Sequence, residues 1–276
     1  MKNKKINLKN TSSKWMMFVC TVILSLIFTS CEKDDKTEDP SAFEAGQIPG
    51  LGDTEGNLTG TPFQLPDGVE ITGDITGSAN QDNYWDLYSS YASPRSFISK
   101  DGNVENKTFT SLRSAEEETT IYYYGSGYGY VDLLIPLRNI RSNPVTVTFP
   151  AATILVSKAG DCQNGVLIKK VTVTIPANSE YSICLSFYCG NLSKSSAHRN
   201  DVYVLGVVSN AKPLLDLCDR VKNKQINIEE FSRTSVADYE RYCSQVNRLQ
   251  SIVWNVTDWN GMTEWDIEYI NSLPNN

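Results

Sequence analysis

Histidine is nearly absent from this chain of 276 residues, which has one, His198. Seven cysteines are present, but no two of them form a C-x-x-C pair. Transition-metal sites are built mainly from His and Cys, and structural zinc sites use closely spaced pairs of these residues. The sequence therefore predicts no metal site of nitrogen and sulfur ligands, and we expect no cofactor.

Basic residues are also scarce. The chain has 25 Lys and Arg against 32 Asp and Glu, and the only charges among residues 1–30 are five lysines. Removal of that segment as a signal peptide would leave 20 basic and 32 acidic residues, a formal charge of −12. Nucleic-acid binding needs clustered Lys and Arg to neutralise phosphates, so no nucleic-acid partner is expected.

Several catalytic motifs are missing, including the G-x-S-x-G elbow and the D-x-[DN]-x-[DN]-G calcium loop. His198 lies in a polar loop sequence, Gly125–Gly129 is typical of a hairpin, and Glu116–Glu118 is typical of a solvated turn. No catalytic residue is therefore predicted. Two carboxylates at the right separation would suffice for glycoside hydrolysis, but a sequence does not give that distance.

The apolar run Trp15–Phe28 is too short for a transmembrane helix. It has 14 residues, whereas roughly 20 are needed to cross the hydrocarbon core. A lysine-rich segment precedes it, and small residues follow it up to Cys31. This is the pattern of a secretory signal peptide, which we assign to residues 1–30.

The sequence Phe28-Thr29-Ser30-Cys31 resembles a bacterial lipobox, in which the cysteine receives acyl chains. Such families usually carry Leu, Val or Ile where this chain has Phe28. The resemblance implies lipid attachment at Cys31, and an ordinary secretory cut is the alternative. Several acyl chains, at about 0.8 kcal/mol per buried methylene, form a stable membrane anchor.

The acidic run Glu32–Lys36 resembles the segment that directs Bacteroidetes lipoproteins to the outer face of the outer membrane. A solvated spacer without a receptor is the alternative. Residues 31–61 contain Asp, Glu, Thr, Pro and Gly with few large apolar side chains, which is typical of a disordered tether. The resemblance implies an outer-membrane location facing the cell exterior, with the membrane as a partner through the lipid.

Residues 62–210 contain short runs in which apolar and polar residues alternate, separated by Gly, Asn, Asp and Pro. This pattern predicts an antiparallel, Ig-like β-sandwich. The predicted strands are 69–72, 96–99, 107–110, 120–124, 130–136, 145–149, 171–175, 181–188 and 202–208. Alternate residues from Tyr181 to Phe187 are expected to face the core. Pro136 and Pro150 are expected to end their strands, since proline cannot donate to the ladder.

Residues 211–276 change to a helical period. Apolar residues recur every three or four positions over 213–221 and 239–256, and Thr263 with Asp266 resembles a capping box for a last helix ending near Leu273. We expect these helices, together with the tryptophans Trp254, Trp259 and Trp265, to pack against one another or on the sandwich. The predicted fold class is α+β.

Five cysteines remain if Cys31 is acylated and Cys20 leaves with the signal peptide: Cys162, Cys184, Cys189, Cys218 and Cys243. An odd number leaves at least one of them free or paired outside the chain. Cys218 and Cys243 lie on two predicted helices and could form a disulfide, and free buried cysteines are the alternative.

The segments 145–151, 163–165, 171–176, 188–189 and 249–258 together resemble an uncharacterised domain of secreted bacterial proteins. The resemblance covers about 133–274 and implies no particular activity. Gln163-Asn164-Gly165 is also typical of a turn that leads into a strand, and Trp254 of core packing.

Two groups of aromatic residues lie beside Asp and Asn, a composition that suits stacking on sugar rings or anchoring of a protein partner. Consecutive tyrosines on a strand alternate between its faces, so part of the second group should be exposed. Core packing is the alternative. The candidate ligand-binding residues are Tyr84, Trp85, Tyr88, Tyr122, Tyr124 and Tyr128.

The sequence thus predicts a lipid-anchored cell-surface protein that acts as a non-catalytic binding or interaction module for a glycan or protein ligand. A structural component of a surface assembly is one alternative, which would present an open edge strand. A carboxylate-dependent hydrolase is the other, which would show a cleft with converging carboxylates.

Overall fold

The computed structural model of the protein describes residues 43–78, 121–127, 129–232 and 235–276, which all belong to one folded unit. The strands of these residues are β1 (Gly60–Pro62), β2 (Val69–Ile71), β3 (Ile75–Gly77), β4 (Ile121–Gly125), β5 (Val131–Asn139), β6 (Val145–Phe149), β7 (Thr153–Ser157), β8 (Gly165–Val166), β9 (Val171–Ile175), β10 (Ser179–Cys189) and β11 (Val202–Ser209). The helices are α1 (Lys212–Val221), α2 (Val236–Thr257), α3 (Glu264–Ser272) and a 3₁₀ helix, Ile228–Glu230.

Six antiparallel strands form a closed barrel. Their order is β5, β3, β11, β7, β8 and β10, and β10 pairs again with β5. β1 extends β11, β2 extends β5, and β4 runs parallel to β10. β6 and β9 form a separate antiparallel ribbon.

The predicted Ig-like sandwich and its α+β class are therefore wrong, since the described fold is mostly β and is built around a barrel. Alternation of apolar and polar residues has the same form in both architectures, because each buries one face of every strand. The barrel is closed by β5, which pairs with β3 at Leu134 and with β10 along its whole length. Pairings between such distant segments leave no local pattern in the sequence.

The barrel interior is filled by alternate residues of its strands. On β5, Leu133 and Ile135 are fully buried, and their partners Leu185 and Ile183 on β10 face the same cluster. The ribbon of β6 and β9 adds the apolar side chains of its inner face to this core. Each such side chain stabilises the fold by about 1.5–3 kcal/mol relative to exposure. The alternation expected on β10 is observed. Ile183, Leu185 and Phe187 lie in this core, whereas Tyr188 lies in a second cluster on the opposite face of the strand.

The helices cover the outer face of the barrel. Ile154, Val166 and Tyr188 project outward from their strands and pack with Leu217 of α1 and Val253 of α2 in a second core cluster, which we call the helix-facing core. The three helices lie where the sequence predicts them.

The capping box of α3 has both of its hydrogen bonds. The Asp266 N–H donates to Thr263 Oγ1 over 3.2 Å, and the Thr263 N–H donates to Asp266 Oδ2 over 2.9 Å. Two tryptophans depart from expectation, since the side chains of Trp259 and Trp265 are exposed.

Residues 43–61 are folded, although we expected them in the disordered tether, and the last of them enter β1. Ile48 and Leu51 are fully buried in the helix-facing core. The Gly52 N–H donates to the Gly190 carbonyl over 2.7 Å, and the Asn191 side chain donates to the Gly52 carbonyl over 2.9 Å. A segment with few apolar residues is ordered here because two of them are buried and its backbone finds partners. Residues 31–42 of the predicted tether lie outside the described residues.

Pro136 lies inside β5 and does not end it, contrary to expectation, whereas Pro150 directly follows β6. The Pro136 carbonyl accepts from the Thr72 N–H over 3.0 Å, so its ring nitrogen faces the same edge of β5. Along this edge, β3 pairs with β5 up to Leu134, and β2 pairs with β5 from Leu137 onward. Pro136 lies in the gap between the two pairings. The missing N–H therefore costs no ladder bond.

The glycine-rich segment after β4 does not form the predicted hairpin. β4 and β5 pair with opposite edges of β10, so their connection crosses β10. A Cβ on Gly127 would lie 2.3 Å from the Phe187 carbonyl oxygen, a close approach that glycine permits. The predicted strands 96–99 and 107–110 lie outside the described residues.

The five cysteines among the described residues are free thiols, and all except the half-buried Cys243 are buried. The possible disulfide between Cys218 and Cys243 is therefore not formed. Cys218 instead packs as a small apolar side chain in the helix-facing core.

Candidate functional site

Three tyrosines meet where β4 runs beside β10, and we call Tyr122, Tyr124 and Tyr181 the tyrosine cluster. The parallel register places Tyr122 opposite Ile183 and Tyr124 opposite Leu185, so both tyrosines lie on the face of the sheet that carries Tyr181. The rings of Tyr122 and Tyr181 are stacked, with centroids 4.4 Å apart and an interplanar angle of 4°. The hydroxyls of Tyr124 and Tyr181 lie 3.3 Å apart.

The tyrosine cluster is half-buried, so it fits neither full exposure nor complete core packing. Tyr124 and Tyr181 contact the barrel core with their rings, and their hydroxyls hydrogen-bond to each other. The arrangement offers planar apolar surface beside two hydroxyls that can donate and accept hydrogen bonds.

The structure brings together two of the predicted ligand-binding residues, Tyr122 and Tyr124. It adds Tyr181. The sequence pattern predicts Tyr181 in the core, because it lies two positions before Ile183 and therefore on the same face of β10. The other predicted site residues lie outside the described residues, and they are Tyr84, Trp85, Tyr88, Tyr128 and the lipid-attachment residue Cys31.

A second group of polar side chains forms where two loops meet, and we call Cys162, His198 and Asp201 the Cys162 cluster. Cys162 precedes β8, while His198 and Asp201 precede β11. Their ligand atoms all lie within 4.8 Å of one another. Cys162 pairs with Ser195 in an isolated parallel bridge, which joins the two loops.

Asp201 is the centre of this cluster. The Cys162 thiol donates to Asp201 Oδ2 over 3.0 Å, and His198 Nδ1 lies 3.2 Å from the same oxygen. The His198 backbone N–H also donates to Oδ2, over 2.6 Å. Partial burial opposes ionisation of Asp201, but these hydrogen bonds outweigh it and lower the pKa of the carboxyl.

The Cys162 thiol is not arranged as a catalytic nucleophile. Burial, followed by the hydrogen bond to Asp201, raises the pKa of the thiol to about 12. A reactive cysteine needs a depressed pKa and a base that takes its proton. In a catalytic triad the imidazole lies between nucleophile and carboxylate, whereas here the carboxylate contacts both Cys162 and His198.

Sequence reasoning missed the Cys162 cluster. The sequence places His198 in a polar loop, and its side chain is half exposed. Cys162 and Asp201 are 39 positions apart, so none of the short metal-binding spacings applies. The adjacent His-x-x-Asp pair was the one local signal.

No family model, curated protein or solved structure matches this chain. Within the part of the chain that the structure describes, no helix has both the length and the apolar character needed to span a membrane.

Proposed function

We propose that this protein is a lipid-anchored cell-surface protein that binds a glycan through the tyrosine cluster. The observation that carries the ligand part of the proposal is the stacked pair of Tyr122 and Tyr181, whose ring centroids lie 4.4 Å apart, beside the hydroxyls of Tyr124 and Tyr181. A sugar ring presents an apolar face edged by hydroxyls. Aromatic rings with hydroxyl groups complement both features.

The anchor part of the proposal depends on the lipobox-like sequence that ends at Cys31. The described fold begins at Phe43, so the eleven residues 32–42 would join it to the acylated cysteine. Eleven residues span at most about 40 Å in any conformation. The barrel would therefore remain close to the outer leaflet, where extracellular glycans are accessible.

Ligand binding is tested by titrating oligosaccharides, first selected on a glycan array, into the full-length chain purified in detergent. Tyr122→Leu removes a stacking ring, and we expect the Kd to rise about tenfold, a loss of about 1.4 kcal/mol. Tyr124→Phe removes one hydroxyl and should weaken binding less.

Two variants serve as controls for this titration. Tyr269→Phe removes the hydroxyl of a half-buried tyrosine in the helix-facing core, and Trp265→Ala removes an aromatic ring that is 77% exposed on α3. Both should leave the Kd unchanged. Loss of binding in Trp265→Ala, together with full binding in Tyr122→Leu, would place the ligand away from the tyrosine cluster. A wild-type chain that binds no glycan would contradict the proposal.

The anchor is tested separately. Mass spectrometry of the native protein should find an acylated N-terminal Cys31, and protease added to intact cells should digest the barrel. An unmodified Cys31 would refute the lipid anchor. The glycan-binding part of the proposal would still be decided by the titration alone.

A further inference from the structure

We propose that Cys162, His198 and Asp201 form a binding site for a zinc-like transition-metal ion. The three side chains supply one sulfur, one nitrogen and one oxygen, all within 4.8 Å of one another. This is the mixed donor set that zinc accepts, whereas calcium and magnesium take oxygen ligands almost alone.

Two of the three distances between ligand atoms are close to those around a tetrahedral ion. Zinc binds sulfur at about 2.3 Å and nitrogen or oxygen at about 2.0 Å, so neighbouring ligand atoms are about 3.3–3.5 Å apart. Here Cys162 Sγ lies 3.0 Å and His198 Nδ1 lies 3.2 Å from Asp201 Oδ2. Shifts of a few tenths of an ångström at Asp201 would bring these pairs to the tetrahedral spacing.

The backbone around the ligands is held in place by hydrogen bonds. The Gln163 N–H donates to the Ser195 carbonyl over 2.9 Å, which fixes the loop of Cys162 against the loop of His198. The Asp201 N–H donates to the His198 carbonyl over 3.0 Å, and the Gly77 N–H donates to the Asp201 carbonyl over 3.2 Å. A prearranged site of this kind binds its ligand with a smaller loss of conformational entropy.

Exposure increases from the sulfur outward. Cys162 is 3% exposed, whereas the side chains of Asp201 and His198 are 23% and 50% exposed. An ion would enter from the side of His198, and three protein ligands would leave its fourth position to water. Binding would replace the S–H bond of Cys162 by a metal–sulfur bond and release the proton to the solvent. The thiolate and the Asp201 carboxylate would then balance the two positive charges of the ion.

The site is tested with cobalt(II) and zinc(II) on the full-length chain after treatment with a chelator. Cobalt should give a thiolate charge-transfer band in the near ultraviolet that saturates at one equivalent, and added zinc should remove it. Cys162→Ser should abolish the band. His198→Asn should raise the zinc Kd by at least about tenfold, since even the loss of an outer-shell partner costs about 10–100-fold.

The matched control is Cys243→Ser, which changes a half-buried thiol on α2 and should leave the band and the zinc Kd as in the wild type. Urea unfolding without metal checks the fold of each variant. Because His198 is half exposed, its variant decides the question even if Cys162→Ser unfolds. Absence of the thiolate band in the wild type, or an unchanged zinc Kd in His198→Asn, would overturn the proposal.

Discussion

The side-chain amide of Gln250 in α2 pairs with both backbone polar groups of Cys189, the last residue of β10. The Cys189 N–H donates to Gln250 Oε1 over 2.9 Å, and Gln250 Nε2 donates to the Cys189 carbonyl over 3.0 Å. Both residues are buried. A helix side chain thus takes the place of a neighbouring strand, and it joins the helices to the barrel.

Replacement of Gln250 by leucine should therefore destabilise the protein strongly. Leucine fills a volume similar to that of glutamine but cannot form hydrogen bonds. The Cys189 N–H and carbonyl would therefore be buried without partners, and each such group costs about 1–3 kcal/mol. We expect urea unfolding to show a loss of about 2–4 kcal/mol. Asn247→Leu, at an exposed position of the same helix, should change stability by less than about 0.5 kcal/mol. Equal losses in the two variants would contradict the role of Gln250.

Gly52 lets residues 43–58 approach the end of α2. It has a φ of +57°, and a Cβ at this position would lie 2.2 Å from the Thr257 carbonyl oxygen. Gly160 is a matched control, because its φ of +82° is also left-handed but nothing lies within 4 Å of its Cβ position.

Gly160→Ala should cost about 1–2 kcal/mol through backbone strain alone. Gly52→Ala should cost more, because the overlap with Thr257 is with backbone that cannot rotate away. Urea unfolding compares the two losses, and limited proteolysis should cut residues 43–58 faster in Gly52→Ala. If the two variants lost equal stability and resisted protease equally, close docking of this segment would be refuted.

The sequence was informative wherever a signal is local. The Thr263 and Asp266 pair marked the start of α3 because a capping box lies within four residues. The alternation along β10 separated Ile183 from Tyr188 because successive strand residues face opposite sides. Closure of the barrel depends instead on which strands β5 joins, and Leu134 pairs with Thr76 across 58 positions without a pattern that marks either residue.

The candidate sites show the same division between local signals, which the sequence carries, and long-range pairings, which it does not. Tyr122 and Tyr124 were predicted as ligand-binding residues from composition, but their partner Tyr181 follows from the pairing of β4 with β10. The Cys162 cluster needed the loops before β8 and β11 to meet, which the bridge between Cys162 and Ser195 achieves. Composition alone pointed away from a metal site, because a single histidine and unpaired cysteines match none of the usual spacings.

Glu229 gives the fold a dependence on pH. Its Oε2 accepts a hydrogen bond from the Gly125 N–H over 2.8 Å, which links the 3₁₀ helix to the end of β4. Burial raises the pKa of the Glu229 carboxyl from 4.5 to about 7, although hydrogen bonds from the backbone and from Asn227 partly oppose the rise. The folded protein therefore holds this proton more tightly than the unfolded chain.

The contribution of this proton to stability is complete below about pH 4.5 and is lost as the pH rises through about 7. The loss amounts to about 3 kcal/mol, at about 1.4 kcal/mol per pKa unit. Glu229→Gln keeps an oxygen acceptor without a titrating proton, so its free energy of unfolding should fall less than that of the wild type between pH 5 and pH 8. Urea unfolding across this range measures the difference, with Glu180→Gln, at an exposed position of β10, expected to follow the wild type. Parallel curves for Glu229→Gln and the wild type would show that the Glu229 carboxyl is solvated and not buried against Gly125.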